Sequence, residues 1–305
     1  MKILITGSRG FVGTETVKLL EKEVEVTRIG SGSTSKLEMS SFPECKHEII
    51  GFDLMDGYDI RDRDLLENVI ESENPDRILH LAAVARFADA DADPKLAFET
   101  NVDGTRNVAE LAEAYHVPVV YASTGSVYMP ILNMEDSIKE DWRGVGNSVY
   151  GCTKYMGETL IRGVNPHIIL RYAHLYGKEK RTHGLIGGFM DRISRGLAPT
   201  LYGGKQSNDF TYILDVAAAN VAALTAPWDK WNQAYNIGTG EELTAEEAGK
   251  IICEHAGYKG EIDVKKGRTV DPDRFFFDCS KAERMLGFKA EYGFADGLKH
   301  MFKED

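Results

Sequence analysis

The chain has 305 residues, with 36 Lys and Arg against 48 Asp and Glu, for a formal net charge of −12. Apolar residues make up 43% and charged residues 28%, a globular composition rather than a disordered one, and the length suits two domains. The acidic balance argues against nucleic acid or an anionic membrane as the main partner, whereas a small anionic ligand needs only local positive groups.

In chain order, residues 2–6 read as a short apolar strand ending at Gly7, and 11–22 have helical spacing. Two strand-like runs follow, 24–29 and 47–52, with a Ser/Gly-rich loop at 30–35 after the first. Residues 65–73 read as a helix stopped by Asn74-Pro75-Asp76, 77–81 as a buried strand, 96–115 as a long helix and 117–122 as a strand. A helix at 148–162 and a strand at 167–171 complete the regular alternation. This is the pattern of an α/β Rossmann-type doubly wound parallel sheet. Beyond Arg171 the pattern loosens: helices at 184–195, 215–225 and 244–255, extended runs at 209–213 and 234–237. The expected organisation is a Rossmann domain over 1–170, with 209–238 returning to it, and a smaller C-terminal α/β domain over 171–305.

Four cysteines, Cys45, Cys152, Cys253 and Cys279, form no CxxC pair and have no histidine cluster near them, so neither a metal site nor a disulfide framework is expected. The apolar run at the N-terminus is too short for a signal-peptide core, and no 18-residue apolar stretch exists to span a membrane. The expectation is a cytoplasmic protein in a reducing compartment.

Gly7-Ser8-Arg9-Gly10-Phe11-Val12-Gly13 is GxxGxxG between a strand and a helix, the context a dinucleotide turn needs. Glycine allows the tight turn and lets the backbone approach a pyrophosphate at the helix N-terminus. A plain Gly-rich turn satisfies the same pattern. Further on, Tyr150-Gly151-Cys152-Thr153-Lys154 is YxxxK. On a helix these two residues share a face, and an ammonium beside a phenol favours its phenolate and fits it for general acid–base work. YxxxK alone recurs by chance. Upstream lies Ser123-Thr124-Gly125-Ser126-Val127-Tyr128, just after a strand, where a hydroxyl opens into the ligand crevice.

These motifs, with His80-Leu81-Ala82-Ala83 and Asn101-Val102-Asp103-Gly104-Thr105 between them, occur in an order that resembles the extended short-chain dehydrogenase/reductase family, in its nucleotide-sugar epimerase/dehydratase branch. The resemblance runs on through Arg171 to Gly177, Gln206 to Phe210, Arg268 and the Asp278 to Phe288 stretch. It implies catalytic roles for Thr124 (hydrogen bond to the reacting hydroxyl or ketone), Tyr150 (proton shuttle) and Lys154 (nicotinamide ribose and tuning of the tyrosine). It implies cofactor contacts at Gly7, Arg9, Gly10, Phe11, Val12, Gly13, Asp53, Asp59, Ile60, Ala82 and Ala83. Asn101 either supports the site or packs a helix. His80 and Tyr128 read as core residues. The resemblance also implies a homodimer built on the helices at 96–115 and 148–162.

The dinucleotide stays open at this point. If 24–29 is the second strand, no carboxylate falls at Gly30 or Ser31, and Arg9 or Arg28 meets a 2′-phosphate, which points to NADP. If 47–52 is the second strand, Asp53 binds the ribose, which points to NAD, at the expense of an insertion of roughly two dozen residues. Distance from Gly13 suits the first register and family habit favours NAD.

The family's 4,6-dehydratases carry Asp-Glu after the Thr, where this chain has Gly125-Ser126. That leaves an NAD(P)-dependent sugar-nucleotide epimerase, or alternatively a reductase or dehydrogenase of a keto-sugar or other small alcohol; a non-catalytic sensor would not need Thr124, Tyr150 and Lys154 together. On the substrate side His174 and Asn208 replace the usual Asn and Arg, and Met129 replaces a Gly. Arg268 still matches a diphosphate-binding Arg, and Lys178, Arg181 or Lys205 are candidates to compensate for a lost charge-assisted contact of roughly 1.5–3 kcal/mol.

Overall fold

The computed structural model describes residues 1–22, 47–129, 136–178, 184–267 and 273–303. The N-terminal part alternates β1 (Lys2–Thr6), α1 (Phe11–Lys22), β2 (Glu48–Phe52), α2 (Arg63–Glu73), β3 (Arg77–His80), α3 (Phe87–Ala92), α4 (Pro94–Phe98), α5 (Gly104–Ala114), β4 (Val119–Thr124), α6 (Val149–Ile161) and β5 (His167–Tyr172). The remainder holds β6 (His174–Tyr176), α7 (Gly184–Ser194), β7 (Thr200–Tyr202), β8 (Ser207–Asn208), β9 (Phe210–Tyr212), α8 (Ile213–Leu224), β10 (Gln233–Ile237), β11 (Leu243–Thr244), α9 (Ala245–His255), β12 (Asp263–Lys265), α10 (Ser280–Leu286) and α11 (Phe294–Lys303).

Six described strands form one parallel sheet in the order β10-β5-β4-β3-β1-β2, the doubly wound arrangement the alternation predicts. β4 and β5 are buried at every position because helices cover both faces. Alternate residues serve opposite layers: Ile3 and Ile5 join the cluster with α1 and α8, while Leu4 joins that with α2, α5 and α6. Side-chain caps start the helices. Asp62 accepts from Leu65 N at α2, Ser148 from Gly151 N at α6, and Thr244 and Glu247 close a capping box at α9.

After β5 the chain leaves the sheet and returns. α8 packs on α1 and β10 pairs with β5. The other late strands make two-stranded pairs, β6 with β9, β8 with β11 and β7 with β12. Among the described residues no helix is long and apolar enough to cross a membrane.

Two differences from the sequence reading concern the site. The helix expected over 96–115 is interrupted by a π-helical turn at Glu99–Asp103, a feature common at functional sites. More importantly, the strand hydrogen-bonded beside β1 is β2, in register Lys2↔Glu48 to Thr6↔Phe52. The second register is therefore the one adopted; the run at 24–29, with Arg28, Gly30 and Ser31, lies outside the described residues, as does Cys45.

A buried polar network fastens α6 to the sheet. Glu158 Oε1 accepts from Ser123 Oγ at 2.6 Å and Arg171 Nε at 2.8 Å, and its Oε2 from Arg171 Nη2 at 2.7 Å and Arg162 Nη2 at 2.8 Å. Arg171 Nη1 donates to the Tyr128 hydroxyl, which donates to Asn236 on β10. Burial pushes the Glu158 carboxyl up, but the Arg171 hydrogen bonds and charge outweigh it and hold the group below its ordinary value. A carboxylate depressed in the folded state contributes stability above its unfolded value of about 4.3, which is lost as pH falls through the folded value. Glu158→Gln leaves Arg171 buried without its counter-charge, and should cost about 3–5 kcal/mol in urea unfolding at pH 7. The variant should also lose less stability than the wild type between about pH 5 and pH 2; equal acid slopes would contradict this account.

Candidate active site

The crevice opens where the strand order reverses, at the carboxyl ends of β1 and β3. Gly7, with φ +71°, turns the chain there, and a Cβ on it would lie 2.8 Å from Ala82 N. A Cβ on Gly13 would press on the Gly7 carbonyl and stand 2.7 Å from Ser8 O. The turn is thus wedged between β3 and the first turn of α1, and its open side faces the N-terminal end of that helix, a place that favours a phosphate. Phe11 and Val12 open α1, with Phe11 close to Gly177.

Asp53 ends β2. Its Oδ2 accepts from Arg9 N at 2.9 Å and its Oδ1 from Met55 N at 2.9 Å. The Arg9 guanidinium is paired with Asp56. Two carboxylates and an already matched arginine form an unfavourable surround for a 2′-phosphate and a suitable one for a ribose hydroxyl. This surround favours the NAD alternative: Asp53 stands at the end of β2, where the second register places the carboxylate, and the Arg9 guanidinium is already paired. Asp59 is held by Arg61, with Nη2 to Oδ2 at 2.6 Å, and the Arg61 hydrogen bond holds its carboxyl below the ordinary value. Ile60 is buried against Gly104, and its carbonyl accepts from Asn107.

Ala82 and Ala83 lead the loop after β3. A chain of hydrogen bonds with one consistent direction fixes that loop. Burial pushes His80 down to about 3, so the ring is neutral. Thr105 gives its hydroxyl proton to Asn101 O at 2.6 Å, so it accepts from His80 Nε2 at 3.0 Å, and His80 Nδ1 accepts from Thr6 Oγ1 at 2.7 Å. Thr6 in turn accepts from Ala82 N at 3.3 Å. Asn101, on the π turn, accepts from Val84 N at 2.7 Å and donates to Val84 O and to Thr153 Oγ1. It therefore ties the loop to α6.

Thr124 ends β4, accepting from Ser126 N at 3.2 Å and donating to Ser126 Oγ at 3.3 Å. The first turn of α6 rests on the same segment, since a Cβ on Gly151 would meet Ser126 O at 2.9 Å. Tyr150 is half-buried there, with the Phe87 ring edge-on at 5.3 Å. One turn later Lys154 is only 2% exposed, and its Nζ lies 4.2 Å from the Tyr121 ring centroid. Burial pushes Lys154 down to about 7, with Glu158 opposing. Gly125 leaves room for the rings of Phe275 and Phe277, and a Cβ there would stand 2.6 Å from Phe277 Cζ.

On the other side of the crevice His174 is exposed, its ring 5.2 Å from that of Phe210. Asn208 pairs with Leu243. Between them, buried Asp209 accepts from Thr239 N, Thr239 Oγ1 and Gly240 N. The structure brings His174 and Asn208 to one strand region. Arg268 and Arg181 lie outside the described residues, while Lys178 and Lys205 are exposed. Sequence reasoning assigned no role to Tyr121, Phe87, Glu158 or Arg171. Glu158 carried a signal, since it continues the face of Tyr150 and Lys154 by one more turn.

A family model described as "NAD dependent epimerase/dehydratase family" matches residues 3–238. The putative UDP-glucose 4-epimerase of Methanocaldococcus jannaschii is 32% identical, over 98% of this chain and 96% of its own. The UDP-glucose 4-epimerase of Pisum sativum is 28% identical, over 96% and 92%. Among solved structures, the UDP-glucose 4-epimerase of Thermotoga maritima with UDP-glucose superposes with a TM-score of 0.82 at 27% identity, covering 99% of this chain and 98% of that one. The Thermus thermophilus UDP-glucose 4-epimerase in complex with NAD gives 0.81 at 25%, with the same coverage. With its sheet, glycine turn and Tyr-Lys helix in the same order, the chain belongs to the NAD-dependent epimerase/dehydratase family.

Proposed function

We propose that this chain is a nucleotide-sugar 4-epimerase that keeps NAD bound throughout turnover. The observation that carries the reading is the set of Thr124, Tyr150 and Lys154 around the end of β4, with Gly125 filled by Phe275 and Phe277. That packing leaves no room for a side chain at 125, the first of the two positions where the family's dehydratases carry an acid. The similarity to UDP-glucose 4-epimerases supports a UDP-sugar substrate. Residues 1–170 and 209–238 form the cofactor lobe in this reading, and the rest of 171–305 the substrate lobe.

NAD fits the residues present: the cradle at Gly7, Gly10 and Gly13 for the pyrophosphate, Asp53 for the ribose, Asp59 and Ile60 beside the adenine, and Ala82, Ala83 and Asn101 along its length. Bound NAD supplies the hydride acceptor for the first half of the reaction and the hydride donor for the second. Tyr150 takes the proton of the sugar hydroxyl as the C4–H bond breaks, leaving a ketone. Thr124 hydrogen-bonds the same oxygen and holds it while the sugar turns over. Tyr150 then returns the proton to the oxygen of the inverted centre, so no net oxidant is consumed. Lys154 holds the nicotinamide ribose and, as an ammonium, favours the phenolate. In this reading His174 and Asn208 face the substrate's diphosphate side, and Arg268, outside the described residues, is the diphosphate-binding arginine that the resemblance implies.

The reading extends to a cytoplasmic homodimer. Cys152, Cys253 and Cys279 are free thiols, as a reducing compartment keeps them. Leu96, Phe98 and Met156 are exposed apolar residues on the helices expected to pair. Light scattering should return twice the chain mass, and a monomer at working concentration would refute the dimer.

Purified protein should release NAD on denaturation and interconvert UDP-glucose and UDP-galactose, followed by the anomeric proton signal, without consuming added cofactor. Stoichiometric use of added cofactor would instead support the reductase. Tyr150→Phe should lower kcat by about 10²–10⁴-fold with bound NAD retained; unchanged turnover would refute the role of Tyr150. Gly125→Asp should cost about 1–3 kcal/mol by overpacking against the two phenylalanines and yield no dehydration, as read by urea unfolding and product analysis. Wild-type stability in that variant would remove the packing argument against a dehydratase.

A further inference from the structure

Lys154 is a buried ammonium that makes no hydrogen bond or ion pair with any described residue. Tyr150 stands one turn before it on α6, and the groups that interact with it are Glu158 on α6, Tyr121 on β4, His80 on β3 and, beyond Glu158, Arg171 on β5. Glu158 is the one anion among them. All four of its hydrogen bonds go to Ser123, Arg171 and Arg162, and two arginines already match its charge. His80 is neutral and adds no repulsion above about pH 3. The direct partner of the ammonium is therefore the face of the Tyr121 ring, 4.2 Å from Nζ, within the range of a cation–π contact.

Tyr121 is itself fixed for this task. It is 0% exposed, and its ring lies 5.5 Å from that of His80. Its hydroxyl abuts α6 at Gly157, where any Cβ would overlap it. That hydroxyl has no partner at hydrogen-bond geometry, its polar neighbour being Thr105. A buried unsatisfied hydroxyl is destabilising, so the ring rather than the hydroxyl is the useful part of this side chain.

We propose that Tyr121 is a positioning residue for Lys154, its buried ring face holding the ammonium in place and in its charged form. The inference rests on the proposed role of Lys154 in serving Tyr150 and the cofactor. A cation–π contact stabilises the charged form only, so it raises the Lys154 pKa against the pull of burial. Loss of the ring lets the pKa fall further, and the neutral amine takes over at neutral pH.

The test uses NAD-loaded protein carrying lysine labelled with carbon-13 at Cε, the Lys154 signal being assigned with Lys154→Met. Tyr121→Leu should lower the Lys154 titration by about one pH unit. The alkaline limb of kcat for UDP-glucose epimerisation should move down with it. Tyr121→Phe should leave both in place and raise Tm, because it deletes the unsatisfied hydroxyl. Should the leucine variant fail to fold, phenylalanines of increasing fluorination at position 121 keep the shape and weaken the ring face, and the Lys154 titration should fall stepwise with fluorine count. A Lys154 titration that is unmoved by leucine or by fluorination overturns the proposal, whatever the activity. A titration that moves as expected in a protein whose wild type does not epimerise overturns the functional reading and leaves the ring contact standing.

Discussion

The buried pairing of Glu158 with Arg171 is the constraint on which the site depends. Tyr150, Lys154 and Glu158 follow one another at single-turn intervals along α6, so whatever fixes the last residue fixes the axis that carries the other two. Glu158 is fully buried, and its oxygens reach Ser123 on β4 and Arg171 on β5. Ser123 is the immediate neighbour of Thr124. The same carboxylate thereby ties the helix bearing Tyr150 to the strand end bearing Thr124. Arg171 extends the tie through Tyr128 to Asn236 on β10, so the strand that returns from the far part of the chain is locked to the same point. Such a network is costly to leave half-satisfied, which makes it a device for one geometry rather than a large source of stability.

The cofactor side is held by a different means. From Ala82 to Asn101 the donors and acceptors run in one sense through Thr6, His80 and Thr105, and that sense requires a neutral histidine with its proton on Nε2. Burial alone keeps it neutral. The chain joins the end of β1, the end of β3 and the π turn, three pieces that all border the crevice. The π turn explains itself in this light, because the irregular backbone presents Asn101 to both the Val84 amide and Thr153 on α6.

Much of this was legible from residue pattern. The sheet and the helices at α1, α6 and α9 follow from apolar periodicity, a local signal. The glycine turn and the Tyr-Lys pair were legible because their chemistry demands fixed spacings. The register of β2 was not, since the separation after Gly13 pointed to the earlier apolar run. Only the observed pairing of Lys2 with Glu48 through Thr6 with Phe52 brings Asp53 beside the glycine turn, where it accepts from Arg9 N. Tyr121, Arg171 and Glu158 were hidden for a related reason. Their importance lies in contacts between residues far apart in sequence, and a tyrosine on a buried strand looks like core until a lysine is found above its face.

The two halves of the crevice are built to different standards, and this bears on what the protein selects. The reacting half rests on long buried strands and a helix tied by charge. The opposite half rests on strands of two or three residues, β6, β8, β9 and β11, joined through Asp209, whose carboxylate gathers the Thr239 and Gly240 amides. Burial pushes that carboxyl up while these hydrogen bonds oppose it, so its hold on the loop is the local source of order there. Asn208 and His174 sit on either side of it, and each replaces a residue usual in the resembling family. Substitution of an arginine by a neutral amide removes a bidentate, charged grip on a diphosphate without touching the hydride-transfer geometry across the crevice. In the proposed reading the chemistry stays with the rigid half, and the grip on the nucleotide sugar falls to a lightly tied surface where single side chains can change without disturbing α6.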